Sequence, residues 1–181
     1  MKFTGFTILG LFICIQAVNA QPQRRANIWH FGNREGMDFS CGTPVKVTGT
    51  KITTVEGATG ICDENGRLLL YVNPGGGRRG STQVGGGIWN AGRELIHDML
   101  NAEGGGYSSS QGGIMLPDPA SGSRYYLFTV DELESIGSPL REHRGLSYFV
   151  IDMNLGGGLG AVVQSNIPVL RPAVECVTAA R

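Results

Sequence analysis

The sequence predicts an all-β protein, a partial β-propeller-like array of antiparallel blades, and three observations predict it. Glycine supplies 29 of the 181 residues, about twice its usual share of ~7%. It shows no Gly-X-Y period, so it marks turns rather than collagen. Between the glycines run short segments rich in aromatic and β-branched residues, the composition of strands. A plan also repeats: "DENGRLLLYVN" and "DPASGSRYYLFTVD" each place an Asp and a Gly-containing turn before large apolar residues, with Gly66 and Gly122 lying 56 positions apart. Strand units at such a period suggest a propeller or a stacked β array, whose blades take ~40–50 residues each. The chain holds three to four such units at most, so a propeller built from it would be incomplete.

Taken in order, "ANIWHFG" alternates Ile28 and His30 against Trp29 and Phe31, and "GTPVKVTG" alternates around Lys46. "ATGIC" leads through the turn signal "DENG" into "RLLLYVN". "GGIMLPDP" reads as a strand ended by proline, "SRYYLFTV" and "GLSYFVIDM" as the two strongest strands, and "GAVVQSNIPVL" as one or two more. One segment departs from this pattern. "AGRELIHDMLNAE" spaces Leu95, Ile96, Met99 and Leu100 as on a helix face, and periodicity alone predicts a short amphipathic helix.

The first twenty residues have one lysine, an apolar run from Phe6 to Ile15 and the small-residue ending Val18-Asn19-Ala20. That is the anatomy of a secretory signal peptide, with cleavage expected after Ala20 and a propeller-like domain over 21–181. Without Lys2 the remainder carries one more acidic than basic side chain. Such a balance gives no electrostatic footprint for nucleic acid or an anionic membrane. No second apolar segment approaches membrane-spanning length. Export permits disulfides; of Cys41, Cys62 and Cys176, the pair Cys41 and Cys62 is the candidate bridge. No cysteines have CxxC spacing, and His30, His97 and His143 are far apart, so no metal site is expected.

Two glycine runs imitate nucleotide motifs. In "YVNPGGGRRGSTQVGGGIWN", Gly75 and Gly80 have phosphate-loop spacing. Ser81 stands where the phosphate-binding lysine is required, and three more glycines prevent the helix that should follow. In "IDMNLGGGLGAVV", Gly156, Gly158 and Ala161 match a dinucleotide fingerprint, but Pro168 and β-branched residues follow in place of a helix. Neither nucleotide nor other cofactor is expected. The first run reads as a flexible connection with Arg78 and Arg79 as solvated charges. Deleting Gly75 to Gly85 is then expected to leave folding nearly intact, because closure depends weakly on loop length.

No nucleophile or metal-hydrolase motif is present, so no catalytic residue is assigned. Glu56, Asp63, Asp131 and Glu132 are the carboxylates that could form an acid/base pair of a glycosidase, but the sequence does not place any two together. Most aromatics, including Trp29, Phe31, Tyr71, Trp89 and Phe149, alternate inside strands and read as packing between blades.

As an ordered set, "NIWHFGNREGMDFSCGTP", "TTVEGATGICDENGRLLLYVN", "GIWNAGRELI", "SSSQGGIMLPDP", "SRYYLFTVDE" and "GLSYFVIDMNLGGGLGAV" resemble the N-terminal region of large secreted surface proteins of Bacteroidota. Those proteins often carry PKD-type repeats and a C-terminal gliding-motility or type IX secretion sorting domain. The resemblance runs from about Asn27 to Leu170. It implies a WD40/quinoprotein-like propeller and a surface or adhesion role, with no catalytic residue to carry over. It favours strand and loop for "GRELIHDML", against the helical spacing. Family members often have Cys directly after the E-G, where this chain has Ala58 with Cys62 nearby, which weakens a disulfide carry-over. The glycine run after Asn73 is also longer than the family pattern. The resulting expectation is an exported, non-enzymatic module that binds protein or glycan at the cell surface. A glycan-active propeller enzyme and a truncated, non-functional product are the alternatives.

Overall fold

A computed structural model describes residues 24–54, 56–79, 82–100, 102–106, 108–133 and 144–179. The expected signal peptide, its cleavage point after Ala20, and His143 lie outside the described residues, as do the side chains of Arg78 and Arg79.

The chain is all-β. Three antiparallel sheets follow one another along the sequence. The first joins β1 (Ile28–Phe31), β2 (Asn33–Asp38) and β3 (Val45–Thr53) in that order. The second joins β4 (Thr59–Cys62), β5 (Leu68–Asn73), β8 (Gly86–Asn90) and β9 (Leu95–Leu100), interrupted by a two-stranded ribbon of β6 (Gly77–Arg79) and β7 (Thr82–Val84). The third is a meander of β10 (Gly113–Pro117), β11 (Arg124–Val130), β12 (Leu146–Asp152) and β13 (Ala161–Leu170).

Side-chain alternation stacks these sheets. One face of the second sheet carries Ile61, Leu70, Val72, Ile88 and Met99, which meet Met115, Tyr125, Leu127, Phe149 and Ile151 of the third in a single core. The opposite face carries Tyr71 and Trp89, directly paired across β5 and β8. It meets the first sheet: the His30 ring lies on Tyr71 at 4.4 Å between centroids, nearly parallel, and Tyr71 stacks on Trp89 at 5.8 Å. The middle sheet is thus covered on both faces, which is why "LLLYVN" is apolar almost throughout. First strands meet as well, with β4 packing against both β1 and β10.

The repeated plan is a structural equivalence. "DENG" turns β4 into β5, and "DPASG" turns β10 into β11. In each, the Asp carboxylate accepts the backbone N–H two residues on: Asn65 N to Asp63 Oδ1 at 2.8 Å, and Ala120 N to Asp118 Oδ1 at 2.9 Å. Such Asx turns are what Asp favours at a tight reversal.

Three expectations need correction. Residues 95–100 form strand β9, not a helix. Its pairing with β8 slips at Gly86/Gly87 and at Ile88/Trp89. Each slip resets the two-residue alternation, so a bulged strand acquired helix-like spacing. The Cys41–Cys62 bridge is not formed: Cys41 is exposed after β2, Cys62 is buried at the end of β4, and both are free, as is exposed Cys176. The glycine-rich connection is also not a loose loop throughout. Asn73 to Gly76 are buried, Gly75 bridges to Gly104, and the Asn73 amide donates to the Gly85 carbonyl at 3.0 Å. The second glycine run is, as expected, a turn: Gly156, Gly157, Gly158 and Gly160 all have positive φ between β12 and β13, a conformation open chiefly to glycine.

Burial pushes the Cys62 thiol above its usual range. Thiolate being the reactive form, Cys41 and Cys176 are expected to react with a maleimide in the folded protein while Cys62 reacts only on unfolding. Mass spectrometry of labelled peptides reads this, and prompt labelling of Cys62 would contradict its burial.

Candidate functional site

A concave feature lies along β1, where the first and second sheets meet. It is a cleft of about 590 Å³. One wall is β1 itself, contributing Ile28, Trp29, His30 and Phe31. Glu56, Ala58, Thr59 and Gly60 of β4 and its approach, with Ser110 and Gln111 before β10, form the other. Because β1 is an edge strand, the cleft receives residues from both of its faces.

Trp29 and Phe31 share one face of β1 and stand in solvent, 57% and 42% exposed. The sequence reading of these two as inter-blade packing therefore fails for them, while it holds for Tyr71 and Phe149. The Trp29 indole is held in place: Nε1 donates to the Ala26 carbonyl at 2.8 Å, and the ring rests against Phe39 at 5.1 Å. An exposed aromatic that is fixed in orientation is a ready-made platform for a flat apolar surface.

His30 points the other way, into the sheet interface. It is 6% exposed, and its Nδ1 has no hydrogen-bond partner. Burial lowers its pKa to about 4, so the imidazole is neutral at pH 7. This links to stability with a definite sign. Unfolded His30 takes up a proton near pH 6.5, and folded His30 only near 4. Between these values the unfolded chain binds more protons, so stability falls as pH drops. Urea unfolding should show a loss of about 3 kcal/mol from pH 7 to pH 4 that shrinks in His30→Phe. An unchanged pH dependence in that variant would remove His30 as its source.

The sequence-named carboxylates are dispersed. Asp63 serves its turn. Asp131 is buried and accepts the backbone N–H groups of Glu132 and Arg144, each at 3.0 Å. Buried Glu132 accepts both the amide and the hydroxyl of Ser108. Glu56 alone reaches the cleft, where the Ser110 hydroxyl lies 3.4 Å away. Sequence reasoning missed its neighbour Glu175. The segment Val174–Val177 lies across the loop before β10, with Gln111 N donating to Glu175 O and Val177 N to Gln111 O. This brings Glu175 Oε2 to 3.2 Å from the same Ser110 hydroxyl, while Glu175 Oε1 accepts the Leu133 amide at 2.7 Å. Nothing local in the sequence marks a contact spanning 65 residues.

Elsewhere, His97 Nε2 lies 2.5 Å from Glu103 Oε2, and the Ser165 hydroxyl donates to Glu103 Oε1 at 3.4 Å. The carboxylate stands between serine and histidine, so the imidazole does not contact the hydroxyl and the order is not that of a nucleophilic triad. Among the described residues no group of three or more His, Cys, Asp or Glu could hold a metal ion, and no helix is long and apolar enough to cross a membrane. Compared with protein-family models, curated proteins and solved structures, the chain matches none.

Proposed function

We propose that this is an exported, non-enzymatic module that binds glycan at the cell surface through the β1 cleft. The observation that carries the reading is the pair Trp29 and Phe31, exposed side by side above a wall of Glu56, Thr59, Ser110 and Gln111. A pyranose has an apolar face and a polar rim. Fixed aromatics take the face, and hydroxyl, amide and carboxylate groups take the rim. A protein ligand would want a broader apolar patch than this narrow cleft offers.

The propeller-like architecture is part of the same proposal. Its support is the stacking of successive antiparallel sheets face to face with their first strands β1, β4 and β10 together, as blades pack around an axis. Export and a surface location rest on the leader-like first twenty residues and on the resemblance to secreted Bacteroidota proteins.

The test is a glycan array probed with the full chain from Gln21, followed by titration of intrinsic tryptophan fluorescence. Binding to a defined oligosaccharide with a change in Trp29 emission is expected. A blank array together with silent titrations would overturn the reading. One observation favours a second reading, a glycan-active enzyme: Glu56 and Glu175 converge beside the cleft, as an acid/base pair would. Turnover of chromogenic glycosides that is lost in Glu56→Gln would establish that reading instead.

A further inference from the structure

The two joins between sheets are built differently. Where the second sheet meets the third, ten buried apolar side chains form the core, and no residue of the first sheet belongs to it. Where the first sheet meets the second, its buried side chains among the described residues are His30, Thr50 and Ile52, two polar to one apolar. His30 Nδ1 and Thr50 Oγ1 have no hydrogen-bond partner there, nor has Asn73 Oδ1 at the end of β5. A buried polar atom left unpaired weakens the join that buries it. Hydrogen bonds across this join include Arg93 Nη2 to the Thr48 carbonyl at 3.1 Å and Asn73 Nδ2 to the Thr53 carbonyl at 3.4 Å, the first exposed to solvent and the second long.

His30 is wedged into this polar join. Its ring lies on Tyr71 of β5, and Gly60 of β4 and Gly36 of β2 close on its edges: an added Cβ would stand 3.4 Å from Nδ1 at the first and 3.6 Å from Cδ2 at the second. The titratable and charged groups around it offer a proton on the ring no partner. Burial raises both Tyr71 and Cys62 of β4, so they stay neutral. Asp38 of β2 accepts the Ser40 amide, and Glu35 lies on the other face of β2 against Lys46 of β3. Lys51 of β3 is exposed, Arg93 before β9 carries like charge, and Glu56 before β4 meets the Ser110 hydroxyl. A protonated His30 would therefore lose hydration and gain no ion pair. His97, the other histidine among the described residues, lies at the second join against the Glu103 carboxylate, which can receive its charge. Acid thus weakens the first join selectively.

We propose that the first sheet is an acid-released leaf: on mild acidification β1, β2 and β3 come away from the second sheet together, while the second and third sheets stay joined through their core. The sign follows from where the proton goes. A released His30 takes it up near pH 6.5 and a docked one only near 4, so acidification within that window favours release. Once away, three strands with one buried apolar side chain have too little to hold their ladder, so release and loss of their hydrogen bonds go together. The inference stands apart from the glycan reading. Joined to it, it adds acid release of the ligand, because the β1 cleft is lined from both sheets and exists only while they meet.

The experiment is hydrogen exchange read by mass spectrometry on the chain from Gln21 at pH 7 and pH 5, each rate divided by the intrinsic amide rate at that pH. Peptides of the first sheet should lose protection about twentyfold at pH 5, the change in the release equilibrium for a proton site that moves from about 4 to 6.5. Peptides of β5, β11 and β12, each paired on both edges, should keep theirs. His30→Phe keeps a ring on Tyr71 and takes no proton, so its first sheet should stay protected at pH 5. Should that variant not fold, the His30 imidazole resonances of the unaltered protein serve instead, and they should shift over the pH range in which protection falls. Equal loss across all three sheets, no loss in the first, a loss that persists in His30→Phe, or resonances that shift outside that range would each overturn the proposal. A blank glycan array bears on the glycan reading alone, because this measurement uses no ligand.

Discussion

Gly75→Ala is expected to destabilise the protein by at least about 3 kcal/mol, since among the described glycines an added methyl group would meet backbone most closely there. Pro74, Gly75 and Gly76 are buried, and the backbone of Gly105 comes down directly on them: Gly105 N donates to the Pro74 carbonyl at 2.8 Å. A Cβ on Gly75 would fall inside the Gly105 carbonyl, and one on Gly105 inside the Val130 carbonyl. A Cβ on Gly86 would stand 2.8 Å from the Gly75 Cα. Three glycine runs thus meet backbone to backbone, and no side-chain rotation relieves a methyl group there. The ribbon tip is a different matter. Removing residues 77–84 and closing the gap takes out β6 and β7 and leaves the buried base. Removing Gly75–Gly85, which the sequence suggested would be harmless, takes out the bridge to Gly104 and the acceptor of the Asn73 amide. Chemical unfolding should place the tip deletion near the parent and both Gly75→Ala and the longer deletion far below it. Gly122→Ala is the control, since a Cβ there meets nothing within 4 Å. A Gly75→Ala protein with the parent's midpoint would mean that the three runs do not touch as described.

The difference between those two deletions explains what was legible in the sequence. Strands that bury alternate residues beneath a clear turn could be read directly, as with "RLLLYVN" after "DENG" and "SRYYLFTV" after "DPASG". Strand β2, "NREGMD", carries little apolar signal, and Arg34 inside it has a positive φ, so it escaped notice. Its position comes from pairing with β1 and β3, which is a tertiary cause. Strand β9 was misread because bulges altered its period. The glycine runs were recognised as turns, but composition cannot distinguish a glycine needed for its freedom from one needed for its small size. The candidate site was the least legible part. Trp29 and Tyr71 sit in equally strand-like contexts, yet one is exposed and the other is buried between two sheets. That distinction depends on which sheet covers which face. Glu175 joins Glu56 only because the segment after β13 crosses back over the loop before β10.

The same contrast between covered and uncovered aromatics governs the second large effect. Trp29→Ala is expected to weaken glycan binding by about a hundredfold while shifting unfolding by less than about 1 kcal/mol. More than half of the Trp29 surface is already in water, so little apolar burial is lost with the ring. Its structural ties are one hydrogen bond to Ala26 and a tilted ring contact with Phe39, itself 38% exposed. On the proposed glycan reading those ties would work for the ligand: the ring is oriented before binding, so it would lose little rotamer freedom on contact. Phe31→Ala should act in the same direction and more weakly, as a smaller platform lacking the indole anchor. Trp89→Ala should do the reverse. Trp89 lies on the far side of Tyr71 from His30, so its removal loosens the stack between the first two sheets and lowers stability without removing a group from the cleft. Tryptophan emission separates the two cases, because Trp29 and Trp89 are the chain's only indoles. Ligand-induced change should disappear with Trp29 and persist, at reduced stability, without Trp89. If instead the response vanished with Trp89 and survived loss of Trp29, the ligand would be reading the sheet interface rather than the β1 cleft.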